Sequence, residues 1–264
     1  MSTPRDAAPT GDVPLRVIRE GPVLRLTLAR PPLNVLSRSL NRAIAAQVKA
    51  AAEDPGAIAI VIDGGDSRGF SAGVEVADHV PETIDPMLAD FHAAIRALWA
   101  FDGVSLALIH GVALGGGLEL ALACDLVIAT EDARLGLPEI ALGCYPPVAA
   151  AVLPSRIGWA TACELVLGGE PIPASRALAL GLVNRVCAPA GLREAGDALL
   201  APILTRSRAA LREAKRALRD GAPDAEGSLA RIERRYTSEL MRLSDAGEGV
   251  AAFMEKRPPR WRHD

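Results

Sequence analysis

Two strand-length apolar runs, Ile58–Ile62 and Ser105–Ile109, each lead into a loop rich in glycine. An apolar run with no alternation fits a strand covered on both faces, the habit of parallel sheets flanked by helices. The rest of the chain supplies the flanking elements. Leu15–Ile18 and Val23–Leu28 read as two short strands around the turn pair Gly21-Pro22. Ser37 is placed to cap a helix running to about Glu53, with Leu40, Ile44 and Val48 on one face and Asp54-Pro55-Gly56 as its stop. Helical spacing recurs over Asp85–Asp102 and Leu118–Cys124, and strands over Leu126–Ala129 and Arg134–Leu137. From Pro147 the pattern is helical except for a strand at Val183–Val186. Strand–helix alternation through the first two-thirds indicates an α/β class. The expected organisation is a disordered leader at residues 1–14, a core at residues 15–206 and a helical C-terminal region at residues 207–264.

The chain of 264 residues is half hydrophobic, which allows a sizeable core. Its net charge of −3 includes no block of like charge, so nucleic acid is not an expected partner. Gly103–Leu118 and Ile140–Ser155, the longest uncharged runs, fall short of the roughly 18 residues of a membrane span. The polar, proline-rich start lacks the apolar segment of a signal peptide, which suggests a cytoplasmic protein with no membrane partner. Cys124, Cys144, Cys163 and Cys187 contain no C-x-x-C pair and read as small buried hydrophobes. His79, His92, His110 and His263 show no metal-ligand spacing, so no metal site is expected.

Chemistry concentrates in two loops and two carboxylates. The first loop is Gly69-Phe70-Ser71-Ala72-Gly73-Val74, and the second is Ala113-Leu114-Gly115-Gly116-Gly117, opening into a helix. Backbone without side chains lets a ligand approach closely, and free N–H groups at a helix start suit a developing oxyanion. Glu119 lies within the first turn after Gly116, and Glu139 follows a proline after a short strand. Each has a plainer reading: Glu119 complements a helix dipole, and Pro138-Glu139 begins a helix. Gly69–Gly73 also fits G-x-S-x-G, the nucleophile elbow of serine hydrolases. Residues 64–68 separate Ser71 from its strand, however, and the only late histidine is His263. The basic helix Arg206–Arg219 reads as a solvated face paired with Glu213 and Asp220, with Lys215 or Lys256 as alternative phosphate contacts.

The run from Ile109 to Ala121, continued by Cys124–Ala129, resembles the signature of the enoyl-CoA hydratase/isomerase (crotonase) family. Gly69–Gly73, Leu137–Gly143 and Ala252–Pro258 resemble three further motifs of that family, in the same order. The resemblance implies a spiral of ββα units with C-terminal helices that pack into a homotrimer or homohexamer. It implies an acyl-CoA substrate and no separate cofactor, since coenzyme A is part of the substrate. It assigns the oxyanion hole to the backbone N–H groups of Val74 and Gly116, and acid–base catalysis to Glu119 and Glu139. Ser71, Ala72, Gly73, Gly115, Tyr145 and Pro146 are the implied substrate contacts. Retention of both glutamates favours a hydratase, a carbon–oxygen lyase, over an isomerase, another acyl-CoA enzyme of the superfamily or a non-catalytic acyl-CoA binder.

Three positions depart from the family pattern. Glu75 stands where many members carry Asp, Val74 replaces the commoner alanine, and Asp78-His79 occupies a region where a lysine often meets the coenzyme phosphates. The stretches Phe70–His79 and Tyr145-Pro146-Pro147 are similar to members that hydrate a cyclic dienoyl thioester, with His79 and Tyr145 as further pocket candidates. Proline at two successive positions gives a stiff wall there. In the C-terminal region, Leu211, Leu218, Leu229, Ile232, Leu240 and Phe253 are expected to bury against neighbouring subunits.

Overall fold

In the structure, a computed structural model that describes residues 14–264, the chain opens with an antiparallel pair, β1 (Leu15–Glu20) and β2 (Val23–Leu28). The leader expected at residues 1–14 lies outside the described residues except for Pro14, whose carbonyl accepts from Ala29 N at 2.9 Å. Helix α1 (Arg38–Glu53) starts where the sequence places it: Ser37 Oγ accepts from Leu40 N at 3.3 Å, and Leu40, Ile44 and Val48 are fully buried. Next come β3 (Ala59–Asp63), α2 (Ile84–Ala100), β4 (Val104–Ile109), β5 (Val112–Leu114), α3 (Gly116–Leu122), β6 (Leu126–Thr130) and β7 (Arg134–Gly136). The chain continues through α4 (Pro147–Ile157), α5 (Trp159–Gly168), β8 (Ile172–Pro173), α6 (Ala174–Ala179), β9 (Arg185–Cys187) and α7 (Leu192–Leu204). Three helices end it: α8 (Arg208–Asp220), α9 (Ala225–Ser238) and α10 (Ser244–Met254).

Six strands form one sheet in the order β1-β2-β3-β4-β6-β9, parallel beyond the first pair. Ile60, Ile62, Ala107 and Ile109 join the core beneath α1 and α2, while Ala59, Val61, Leu106, Leu108 and Ile128 pack on the other face with Leu200 of α7. The doubly buried strand anticipated at Ile58–Ile62 is therefore present. Each such aliphatic side chain contributes roughly 1.5–3 kcal/mol on burial, so β3 and β4 form a rigid base for the loops at their ends.

A second sheet, β5-β7-β8, was only partly legible. β7 falls within the expected Arg134–Leu137, but β5 hides inside the glycine-rich stretch, and β8 has only two residues. The strand expected at Val183–Val186 begins later, because Val183 turns into the core and Asn184 takes the first pairing. Asn184 donates its N–H to Val127 O at 2.8 Å and accepts from Val127 N at 2.7 Å.

The C-terminal helices correct two expectations. Leu229 is fully buried in this chain's own core, whereas Leu218 and Phe253 are exposed. Lys215 pairs with Asp125 at 2.6 Å and Gly103 O at 2.8 Å, and not with Glu213 or Asp220 on its own helix. Helix α9 packs along α4 and α2 and carries Tyr236 into the interior.

Candidate active site

The second sheet explains how two glutamates twenty residues apart in sequence come together. β5 and β7 are parallel neighbours, with Leu114 opposite Gly136, so their C-terminal ends emerge side by side. β5 runs on into α3, which carries Glu119; β7 runs on into the 3-10 turn Pro138–Leu142, which carries Glu139. Gly115 N donates to Gly136 O at 2.9 Å and sews the two ends together. Gly115 has φ +52°, and a Cβ there would lie 2.9 Å from Glu139 Oε1. The Glu139 carboxylate thus lies directly against the second glycine loop.

Glu119 is buried, and its Oε1 accepts from Val148 N at 2.8 Å and Ala149 N at 3.0 Å in the first turn of α4. Burial raises its pKa to about 7, against the opposing pull of those two N–H groups. Glu139 is also pushed well above the ordinary carboxylate range, by burial and by the adjacent Glu119 charge. Its Oε2 is buried with no hydrogen-bond partner among the described residues, which costs about 1–3 kcal/mol for a polar group. Two carboxyls that interact in this way titrate as a pair and not singly. Glu119, with its two N–H donors, is the one better suited to ionise.

The first loop meets this pair from the other side. Ser71 bridges Ala113, with Ser71 N donating to Val112 O at 3.1 Å and Leu114 N to Ser71 O at 2.9 Å. Three residues on, Val74 N sits 3.3 Å from where a Cβ on Gly116 would be. Among the described residues, neither the Val74 N–H nor the Gly116 N–H has a hydrogen-bond partner. Two free amides therefore lie together beside two carboxyls whose pKa values are raised. Such a site suits a substrate that gains negative charge on an oxygen while protons move at neighbouring atoms.

Of the other sequence candidates, Ala72 and Gly73 lie on this first loop, and Gly115 lies between the carboxylate and the amides. Ser71 is fully buried, with its hydroxyl turned inward. Pro146 is buried immediately before α4. Tyr145 gives its hydroxyl to Ile232 O at 3.2 Å and sets its ring edge-on to Tyr236, centroids 5.0 Å apart. His79 is buried, with Nδ1 3.2 Å from Glu75 O, and burial lowers its pKa. No group of three or more His, Cys, Asp or Glu side chains among the described residues is arranged to hold a metal ion.

Two residues escaped the sequence reading. Asn34 is fully buried with φ +49°, and its side chain binds the carbonyls of Gly64, Gly69 and Phe70 at 2.9–3.1 Å. The signal for it was a lone polar residue after Pro31-Pro32-Leu33, which reads as an ordinary turn. Tyr236, 1% exposed, packs with Ile84, Met87, Leu88 and Cys144 beside Val74 and Tyr145. It stands among charged residues in α9 and gave no sequence signal.

Fold and site together place two unpartnered backbone amides beside a buried pair of carboxyls. The chain belongs to the enoyl-CoA hydratase/isomerase family, whose sequence profile matches residues 19–264. It is an enzyme of the enoyl-CoA hydratase type, a carbon–oxygen lyase. It is 35% identical over 247 residues to a cyclohexa-1,5-dienecarbonyl-CoA hydratase of Thauera aromatica, covering 92% of this chain and 94% of the relative. It is 36% identical over 248 residues to a 2,3-dehydroadipyl-CoA hydratase of Escherichia coli K12, covering 93% and 97%. The crystal structure of an enoyl-CoA hydratase from Mycobacterium avium subsp. paratuberculosis superposes with a TM-score of 0.85 at 30% identity, over 94% of this chain and 98% of that one. The crotonase-like fold implied by the sequence resemblance is thus the fold observed. Among the described residues, no helix is long and apolar enough to cross a membrane.

Proposed function

We propose that this enzyme adds water across the double bond of an α,β-unsaturated acyl-CoA thioester, with Glu119 and Glu139 as the acid–base pair. The observation that carries the reading is the contact of Glu139 with Gly115, next to the free Gly116 and Val74 amides, with Glu119 near enough for its charge to act on Glu139. The thioester oxygen sits between those two N–H groups and takes up charge as an enolate forms. Losing one such donor typically costs roughly 10²–10³ in rate. Glu119 accepts a proton from water as the water oxygen bonds to Cβ. Glu139, kept protonated by burial and by its neighbour's charge, delivers a proton to Cα. Proton exchange within the coupled pair then restores the starting state.

The acyl group we propose is a compact cyclic dienoyl thioester. Two features support it: the likeness to the Thauera hydratase, and the Tyr145 ring locked against Tyr236. The test is to incubate the purified protein with crotonyl-CoA and with cyclohexa-1,5-diene-1-carbonyl-CoA, following loss of the conjugated enoyl absorbance and formation of the hydroxyacyl product. Hydration of neither thioester overturns the hydratase reading. Double-bond migration without a hydroxyl product replaces it with an isomerase.

A further inference from the structure

The hydroxyl of Ser71 does work that the reaction itself does not require. It donates to Asn34 O at 2.8 Å and accepts from Gly73 N at 3.1 Å, all within the interior. Gly73 immediately precedes Val74, and its carbonyl is also held, accepting from Leu36 N at 2.8 Å. In a trans peptide the C=O and the following N–H point in opposite directions. Fixing the Gly73 carbonyl towards Leu36 therefore aims the Val74 N–H the other way. Both ends of Gly73 are pinned, and its φ of +103° is one that few residues besides glycine adopt.

Asn34 anchors this arrangement. Its Nδ2 serves the carbonyls of Gly64, Gly69 and Phe70, its Oδ1 accepts from Arg30 N at 2.9 Å and Ser67 Oγ at 3.0 Å, and its own carbonyl holds Ser71. An amide this fully bonded has one orientation open to it. On its opposite side Ser71 touches the second loop: a Cβ on Gly117 would lie 2.7 Å from Ser71 Cβ and 2.8 Å from Oγ. Ser71 is thus in contact with both loops that carry a free amide.

We propose that Ser71, held by Asn34, is the positioning residue that sets the spacing and aim of the Val74 and Gly116 N–H groups. The proposal rests on the reading of those amides as the oxyanion hole. A displacement of the order of 1 Å near reacting atoms costs about 10² in rate, so a hydroxyl acting through the neighbouring Gly73 is a strong lever.

The test is Ser71→Ala, which keeps the backbone pairing with β5 and removes both hydroxyl bonds. Ser105→Ala is the matched control. Ser105 is equally buried, its Oγ also makes two bonds, both to Asp125, and it lies at the far end of β4. The readouts are kcat on crotonyl-CoA, the affinity for butyryl-CoA, the urea midpoint, and the infrared stretch of butyryl-CoA labelled with carbon-13 at its carbonyl. In the wild type the bound carbonyl stretch should move to lower frequency. In Ser71→Ala that shift should shrink and kcat should fall by about 10- to 100-fold, with butyryl-CoA affinity within about threefold. Ser105→Ala should lower the urea midpoint by a similar amount while keeping the full carbonyl shift. A full shift and near-normal kcat in Ser71→Ala overturns the proposal alone. No shift in the wild type overturns the oxyanion reading and this proposal with it.

Discussion

The carboxylate of Glu139 occupies the space where Gly115 would carry a side chain, with Oε1 2.9 Å from the position of the missing Cβ. Glycine is required there twice over, for that space and for a backbone at φ +52°, ψ −129° that other residues rarely adopt. Gly115→Ala should therefore displace Glu139 and reduce kcat by about 10² or more. A variant with wild-type turnover would separate the glycine from the carboxyl's placement.

Glu119→Gln and Glu139→Gln should each lower kcat by roughly 10² or more while leaving butyryl-CoA binding within a few-fold, since each carboxyl acts mainly in the transition state. In Glu119→Gln the side-chain amide keeps an oxygen able to accept from Val148 and Ala149, so the fold at α4 should survive. Steady-state kinetics with crotonyl-CoA, alongside calorimetric binding, makes the distinction. Near-normal turnover in either variant contradicts the two-glutamate mechanism.

Both carboxyls also bind protons more tightly in the folded chain than the ordinary glutamate value of 4.5. Above that value the unfolded chain releases the protons while the native state still holds them. Stability should therefore fall as pH rises from about 5 through 7 and beyond. Glu248, lowered to about 2 chiefly by its hydrogen bonds to Arg257, is ionised in both states over that window. His79, whose pKa burial lowers, contributes stability that rises with pH and offsets part of the fall equally in wild type and variant. Glu139→Gln removes one of the two raised groups, so its pH slope should be shallower. Urea midpoints at pH 5, 7 and 8.5 measure this, and an equal or steeper slope in the variant would count against the raised carboxyl pair.

How much of this was readable beforehand follows from the range of each interaction. Ser37 capping α1, the doubly buried β3 and the start of the C-terminal helices at Ser207 are local patterns, and the structure places them as expected. Glu119 and Glu139 were legible as candidates, but their meeting depends on β5 pairing with β7, a three-residue strand hidden among glycines. Asn34 and Tyr236 act through partners distant in sequence, Gly64 and Gly69 for the one and Tyr145 for the other, so the turn around Asn34 reads as ordinary and nothing local marks Tyr236. Leu229 looked like an interface residue because helical periodicity shows that a face is buried without showing against what.

Association should follow from the apolar surface that remains. Trp159 and Leu167 on α5, Leu218 on α8 and Phe253 and Met254 on α10 are each more than half exposed. Scattered single residues would mean little, but several large ones left exposed on three helices favour self-assembly. Light scattering should report a trimer or hexamer, and Trp159→Glu with Leu167→Glu should weaken it. A fully active monomer at working concentration would refute this.

The last expectation concerns the shape of the acyl group. Tyr145 is held by its hydroxyl bond to Ile232 O and by the edge-on contact with Tyr236, so the wall beyond Glu139 is tied to α9. Behind it Ile84, Met87 and Leu88 of α2 close the same cluster against Val74. As a wall of the proposed acyl site, two aromatic rings and two successive prolines would not retreat for a flexible tail at small cost. The wild type should thus prefer the proposed cyclic dienoyl thioester to crotonyl-CoA in kcat/KM, and should use chains beyond about eight carbons poorly. Shape selection of this kind is worth about 1–3 kcal/mol per misfitted group, a ratio of roughly 10 to 200. Removing the Tyr236 ring should erase much of that ratio. In Tyr236→Ala, kcat/KM for trans-2-decenoyl-CoA should rise relative to the cyclic substrate, with Glu119 and Glu139 still required. If the wild type already hydrates decenoyl-CoA efficiently and leaves the cyclic diene untouched, the aromatic wall is not what selects the substrate, and the compact-ring proposal is wrong while the acid–base assignment stands.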